Sequence, residues 1–218
     1  MAIEWSKVKA VRIPEGDCKR VAINGTIVWE KGGLPSEYQQ VEYIEGDGAQ
    51  YIDLNLSITR ASVGYCRFYF SGSGSVNRFL FGGRTSGIEN NVEFNRNTIQ
   101  SFSFDYGSYL VNRIIIHVPV SAWHELNFTN NAITVDENEY QLTTVSDFST
   151  PKTYLFDSYG KPTGTGWIGR VSAFRLEGQC DLVPCYRKSD GKIGMYDLVN
   201  GVFYTNSGRG TFIKGEDV

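Results

Sequence analysis

Residues 184–208 read PCYRKSDGKIGMYDLVNGVFYTNSG. Tyrosines, aspartates, asparagines and cations crowd around glycines, and the stretch looks at first like a ligand site. Turn chemistry accounts for most of those polar residues. Ser189-Asp190-Gly191 and Asn200-Gly201 are turn signals, because Gly and Asn accept positive φ and Asp binds its own backbone. The segments between them alternate. Ile193 and Met195 share one face, Tyr196 and Leu198 the other, which is the period of a strand. Asp197 and Asn206 are expected to serve turns or backbone donors. The stretch reads as hairpin construction, and it sets the rhythm to look for elsewhere.

The same rhythm runs back through the chain. QYIDLNL places Ile52, Leu54 and Leu56 on one face, and YCRFYF puts Cys66, Phe68 and Phe70 inward with Tyr65, Arg67 and Tyr69 outward. RFLFGG, NTIQSFSF, LVNRIIIHV, HELNF, AITVDENEY, TYLFD, IGRVSAFRLE, KIGMYDL and VFYTN follow, divided by Gly, Asn, Asp and Ser. No segment holds helical spacing with caps at both ends. Many short strands of this kind make an all-β sandwich or barrel. Residues 1–33 form a separate unit: VKAVRI, the turn PEGD, CKRVAI, then Asn24-Gly25 and TIVWE, a small meander closed by a type I′ signal. Six cations against four acids make it mildly basic. It is too small to stand alone, so it packs on something. Gly32-Gly33 and Leu34-Pro35 mark the boundary with residues 34–218.

A chain of 218 residues with 41% hydrophobic content buries a proper core. The net charge of −3 argues against nucleic acid as a partner. No run reaches the roughly 20 apolar residues of a membrane span. The start, MAIEWSKVK, carries no signal-peptide pattern, so synthesis in the cytoplasm is expected. Cys18, Cys66, Cys180 and Cys185 form no CxxC pair and are expected to be buried thiols, with a Cys180–Cys185 pair in an oxidising setting as the alternative.

Catalytic constellations are missing. His117 lies in an apolar run and reads as a core or edge histidine, and His124 opens HELNF without the second histidine of a zincin. There is no GxSxG, and GSGS at 72–75 lacks the lysine of a phosphate loop. The nearest paired carboxylates are Glu45 and Asp47, in a Gly-rich stretch that reads as a turn. DENE at 136–139 reads as a solvated hairpin. No enzyme, cofactor or metal is expected.

LPSEYQQVEYIEGDGAQYIDLNL, GWIGRVSAFRLEG and DLVPCYRKSDGKIGMYDLVNGVFYTNSGRGTF together resemble one family: the concanavalin A-like, laminin-G-like jelly-roll domain of phage and prophage structural proteins from gut Firmicutes. The resemblance covers about residues 34–218. It implies an all-β, two-sheet antiparallel jelly-roll sandwich. It also implies a virion protein of tail or fibre type, released by lysis and lectin-like, that attaches to host-surface glycans. WSKVKAVRIPEGDCKRVAINGTIVWE is similar to small β modules that precede such domains. A purely structural fibre, decoration or baseplate protein is the alternative, and a glycan hydrolase a second. The resemblance supplies neither catalytic residues nor calcium ligands. Sugars are recognised by aromatic faces and planar polar groups. The candidates are therefore Tyr65, Arg67, Tyr69 and Arg175 on outward strand faces, and Asp157, Tyr159 and Trp167 around the loop GKPTGTG. Trp5 and Trp29 are candidates for assembly with other virion proteins. A homo-oligomer is expected by analogy with fibres.

Overall fold

A strand that buries alternate residues needs a second sheet to bury them against. The computed structural model describes residues 20–23, 26–30, 33–72, 77–84, 87–98, 101–119, 121–158 and 165–218. The chain divides into two compact units, Met1–Gly33 and Leu34–Val218. In the first, strands β1 (Arg20–Ile23) and β2 (Thr26–Glu30) pair antiparallel, with Ile23 opposite Thr26 and Val21 opposite Trp29. The expected VKAVRI strand and Trp5 lie outside the described residues.

The second unit is all-β. In chain order its strands are β3 (Tyr38–Gln40), β4 (Ile44–Asp47), β5 (Ile52–Asp53), β6 (Gly64–Phe70), β7 (Arg78–Gly83), β8 (Glu89–Thr98), β9 (Ser101–Ser108), β10 (Arg113–Ile116), β11 (Trp123–Phe128), β12 (Ala132–Val135), β13 (Asn138–Gln141), β14 (Tyr154–Leu155), β15 (Ile168–Leu176), β16 (Cys180–Arg187), β17 (Ile193–Asp197), β18 (Val202–Thr205) and β19 (Ile213–Lys214). Among the described residues they make two antiparallel sheets. One runs β10-β9-β8-β7-β14-β5; the other runs β13-β12-β11-β6-β15-β16-β17-β18, with β4, β19 and β3 along its side. This is the jelly-roll sandwich expected.

Aromatic rings fill the space between the sheets. Phe68 and Phe70 of β6 meet Phe94 and Phe102 of the other sheet at 5.2 and 6.4 Å, and Phe81 meets Phe128 and Phe174 at 6.0 and 5.4 Å. All are buried. Each such ring stabilises the fold by about 1.5–3 kcal/mol through area removed from water. Cys66, Cys180 and Cys185 are buried free thiols, and burial pushes the last two up to about 12; Cys18 lies outside the described residues. NTIQSFSF is not one strand as expected. Thr98 ends β8 and Ser101, opposite it, begins β9. The polar alternation of ENNVEFNRN hid β8.

The 184–208 stretch is the expected pair of hairpins. β16 pairs with β17 and β17 with β18. Gly191 (φ 69°) and Gly201 (φ 68°) supply the positive φ, at the ends of connections longer than a two-residue turn. Buried Asp197 organises the second: its Oδ1 accepts from the amides of Asp181 and Val199, at 3.1 and 2.9 Å, and Asn200 Nδ2 donates to its Oδ2 at 2.7 Å. Met195 is buried, and Tyr196, on the other face, packs against Tyr38 at 4.9 Å.

Gly64 shows how tightly the ladder is filled. It lies opposite Phe128 on β11, and a Cβ there would collide with the Phe128 ring. Gly64→Val should therefore destabilise the domain by roughly 1–3 kcal/mol through overpacking, read as a lower urea midpoint with an unchanged slope. An unchanged midpoint would show that the ring moves aside freely.

Candidate functional site

The outward face of the larger sheet is organised in cross-strand rows. Trp123 (β11), Tyr69 (β6), Arg170 (β15) and Glu45 (β4) are direct neighbours in one row. Glu125 and Arg67 stand in the next, and Asn127, Tyr65, Arg175 and Asp181 in the third. A β-bulge in β15 makes this possible. Val171 opposes Phe68 but Ala173 opposes Arg67, so Ser172 is the extra residue. A bulge shifts the alternation by one. Val171 before it and Phe174 after it both point inward, and Arg170 and Arg175, five residues apart, both point outward.

Aromatic rings and guanidiniums interlock on this face. Arg170 lies over the rings of Tyr43 (4.4 Å) and Tyr69 (5.2 Å), and Arg67 over Trp123 (4.7 Å). Trp123 touches Tyr43 and Tyr69 at 5.9 and 5.8 Å. Each exposed cation–π contact is worth about 0.5–1 kcal/mol. Arg170 Nε donates to Glu45 Oε2 at 2.9 Å, and Ser71 Oγ to Glu45 Oε1 at 3.3 Å. Burial works against the Arg170 cation, but the hydrogen bond and charge of Glu45 outweigh it and hold its pKa above the ordinary arginine value. Arg67 is held more loosely, 3.7 Å from Glu125 and 3.4 Å from Ser172 Oγ. Glu42, Tyr43, Arg67, Trp123 and Arg170 line an open groove of about 430 Å³. Behind it the ring nitrogens of buried His124 lie 2.8 Å from Asp136 Oδ2 and 2.6 Å from the Pro119 carbonyl oxygen, which pins the start of the strand that carries Trp123. His117 is exposed, at the end of an edge strand.

Four of the residues read from sequence, Tyr65, Arg67, Tyr69 and Arg175, share this face, Arg175 lying over Tyr65 at 5.4 Å. Trp167 does not join them. It is fully buried, packs on Phe70 at 4.8 Å, and donates from Nε1 to the Tyr69 carbonyl at 3.1 Å. It supports the groove from beneath instead of exposing a ring. Asp157 is 2% exposed and accepts from the Ser158 amide, so it is no surface contact either. Tyr159 lies outside the described residues, and Trp29 is placed only by its backbone on β2.

Sequence reading missed Tyr43, Trp123 and Arg170, and weighed Glu45 only as one of a carboxylate pair with Asp47. Trp123 was within reach, since WHELNF alternates and puts Trp123 with Glu125. Arg170 was hidden by the bulge. Glu45 and Asp47 were expected in a turn but lie on β4, paired with β15 and β19. Gly46 is there for close packing: a Cβ would stand 3.0 Å from Phe156. The expected solvated hairpin at 136–139 is present and exposed. Among the described residues, no group of three or more His, Cys, Asp or Glu side chains could hold a metal.

The smaller sheet carries a different row: Arg113, Asp105, Glu93, Gly82, Tyr154 and Asp53 across its six strands. Arg113 forks both oxygens of buried Asp105 at 2.9 Å, and Arg84 binds Glu93 Oε2 at 2.9 Å. Glu93 is 1% exposed and its Oε1 has no hydrogen-bond partner among the described residues. Burial pushes its carboxyl above the usual range, and Ser158 and Arg84 counter this only in part.

No family model matches this chain. No curated protein matches it. Among solved structures, mouse laminin alpha1 chain domains LG4-5 are similar, at a TM-score of 0.41 and 16% sequence identity, over 77% of this chain and 47% of that one. The chain thus spans about half the length of that structure.

The Glu93 carboxyl gives a pH signature. Its folded pKa lies above its unfolded one, so its contribution is fully present below the unfolded value of about 4.3 and is lost as pH rises through the folded value. Urea midpoints of wild type and Glu93→Gln should therefore diverge as pH rises from 4 to 8, in favour of the variant. Parallel curves would show that Glu93 does not titrate in the folded domain.

Proposed function

We propose that residues 34–218 form a glycan-binding domain, non-catalytic, in a phage or prophage virion protein that attaches to host surfaces. One observation carries the binding part: a groove in which Trp123 and Tyr43, with Tyr69 packed beside them, are held by two arginines on a sheet. Aromatic faces stack on pyranose rings and guanidiniums donate to their hydroxyls, and rigid platforms bind at low ordering cost. The virion part is supported by the resemblance of the 184–208 motif and its neighbours. Glu45 and Asp47, the acids of the hydrolase alternative, are engaged by Arg170 and by the Ala49 amide.

A purely structural reading has its own observation. Arg67 and Arg170 already occupy the ring faces, as they would in a ladder that only pairs strands. A glycan array on the whole chain decides between the two. The binding reading expects signal on one group of glycans, and Trp123→Ala should then cost about 2 kcal/mol of affinity, roughly 30-fold, as a central Trp anchor does. An unaltered melting midpoint would separate this from misfolding. A silent array would favour the structural reading.

Under the same proposal the 1–33 unit, with Trp5 and Trp29, joins the domain to other virion proteins, and the chain works as a homo-oligomer that multiplies weak sugar contacts. Deleting residues 1–33 should leave glycan binding by the domain intact and remove the protein from purified particles, measured by quantitative mass spectrometry. Normal copy number in the particle would assign assembly elsewhere.

A further inference from the structure

We infer that the groove selects uncharged glycans and turns away acidic ones, with Glu125 and Glu45 setting that preference; this rests on the glycan-binding reading above. A pair of arginines in a groove suggests an anion site, but the charges around them do not allow it. Three carboxylates, Glu42, Glu45 and Glu125, stand against two guanidiniums, Arg67 and Arg170. Two further cations of the larger sheet also have acids beside them: Arg175 stands opposite Asp181, and Lys214 holds Asp217 at 2.7 Å.

The same arrangement suits a neutral sugar. Arg170 uses only Nε on Glu45, and its terminal N–H groups have no partner among the described residues. The Glu45 carboxylate beside it retains lone pairs after accepting from Arg170 and Ser71. Arg67 and Glu125, with side chains 42% and 58% exposed, repeat the arrangement one row away. Each couple sets donors beside acceptors. Adjacent hydroxyls of a pyranose, each able to donate and accept, match such a couple; a carboxylate or sulfate offers acceptors alone and meets Glu45 or Glu125 with like charge. Trp123 and Tyr43, each with one ring face under a guanidinium, add apolar surface beside the couples.

The test uses the full chain and two matched sets of probes: oligomers of glucose, galactose and mannose, and their uronate or sulfated counterparts. Wild type should bind at least one neutral oligomer, and its acidic counterpart should bind about tenfold more weakly, because like charges placed together are penalised. Affinity for the neutral oligomer should change less than about twofold between about 0.05 and 0.5 M salt, since no net charge is being screened. Glu125→Gln should shift the neutral-to-acidic ratio towards the acidic probes by about fivefold or more, by removing one like charge. Preference of wild type for an acidic probe, with affinity falling steeply in salt, would overturn the inference and leave glycan binding standing. An unmoved ratio in Glu125→Gln would remove Glu125 as its cause and overturn the assignment. Silence on both sets would take away the glycan reading itself.

Discussion

Strand β15 must face two ways at once, and the single extra residue at Ser172 lets it do so. On one edge it pairs along β6; on the other it meets β4 first and β16 later. With unbroken alternation, a strand that buries Val171 would turn Phe174 outward and Arg175 into the core. A buried, unpaired guanidinium costs several kcal/mol, and the loss of the Phe174 ring from the interior would add about 3 kcal/mol or more. The bulge avoids both. It keeps one aromatic core beneath the strand and one row of cations above it, so the groove is a consequence of how the core was closed.

Core and groove are joined by more than this strand. Trp167 fills the interior under Tyr69 and ties its indole to the Tyr69 carbonyl. His124 occupies the inner face of β11 against Phe68 at 5.4 Å, while its neighbours Trp123 and Glu125 stand outside. The rings that line the groove therefore rest on a packed layer that resists displacement, because interiors at crystal-like density leave little room for a ring to tilt. Individual ion pairs on this face are worth at most about 1 kcal/mol. Stability comes from the layer below; the pairs above it fix geometry.

Period-two alternation made much of the fold readable. YCRFYF assigned inward and outward residues correctly along β6, and Asp190-Gly191 and Asn200-Gly201 located the turns of the closing hairpins. The failures have three separate causes. Glycine was read as a sign of an exposed turn or loop, yet at Gly46 and Gly166 it permits close approach: a Cβ at Gly166 would stand 2.7 Å from the Gly48 carbonyl oxygen. Trp167, beside that glycine, was therefore expected at the surface and lies in the core. Arg170 was unreadable because a bulge leaves no mark in composition. Strand β8 was missed because its second face is polar and buried, which local hydrophobicity cannot register.

That polar face makes the two sheets unequal in a way that bears on where a ligand can bind. On the smaller sheet Asp105 and Glu93 are capped by Arg113 and Arg84 and are out of contact with water; displacing those caps would leave buried carboxylates unpaired, at a cost of a few kcal/mol each. On the larger sheet Arg67 and Arg170 are spread over aromatic rings with their carboxylate partners at the margin; Glu125 is about half in water and Glu45 partly so. A ligand arriving there breaks no buried pair and orders few side chains, since cation–π stacking has already done so. For such a ligand the entropic cost of binding, roughly 0.5–1.5 kcal/mol for each immobilised long side chain, would largely be met by the fold itself. The two faces carry similar residue types, but the larger sheet keeps the carboxylates Glu45 and Glu125 within reach of solvent, whereas Asp105 and Glu93 on the smaller sheet are buried.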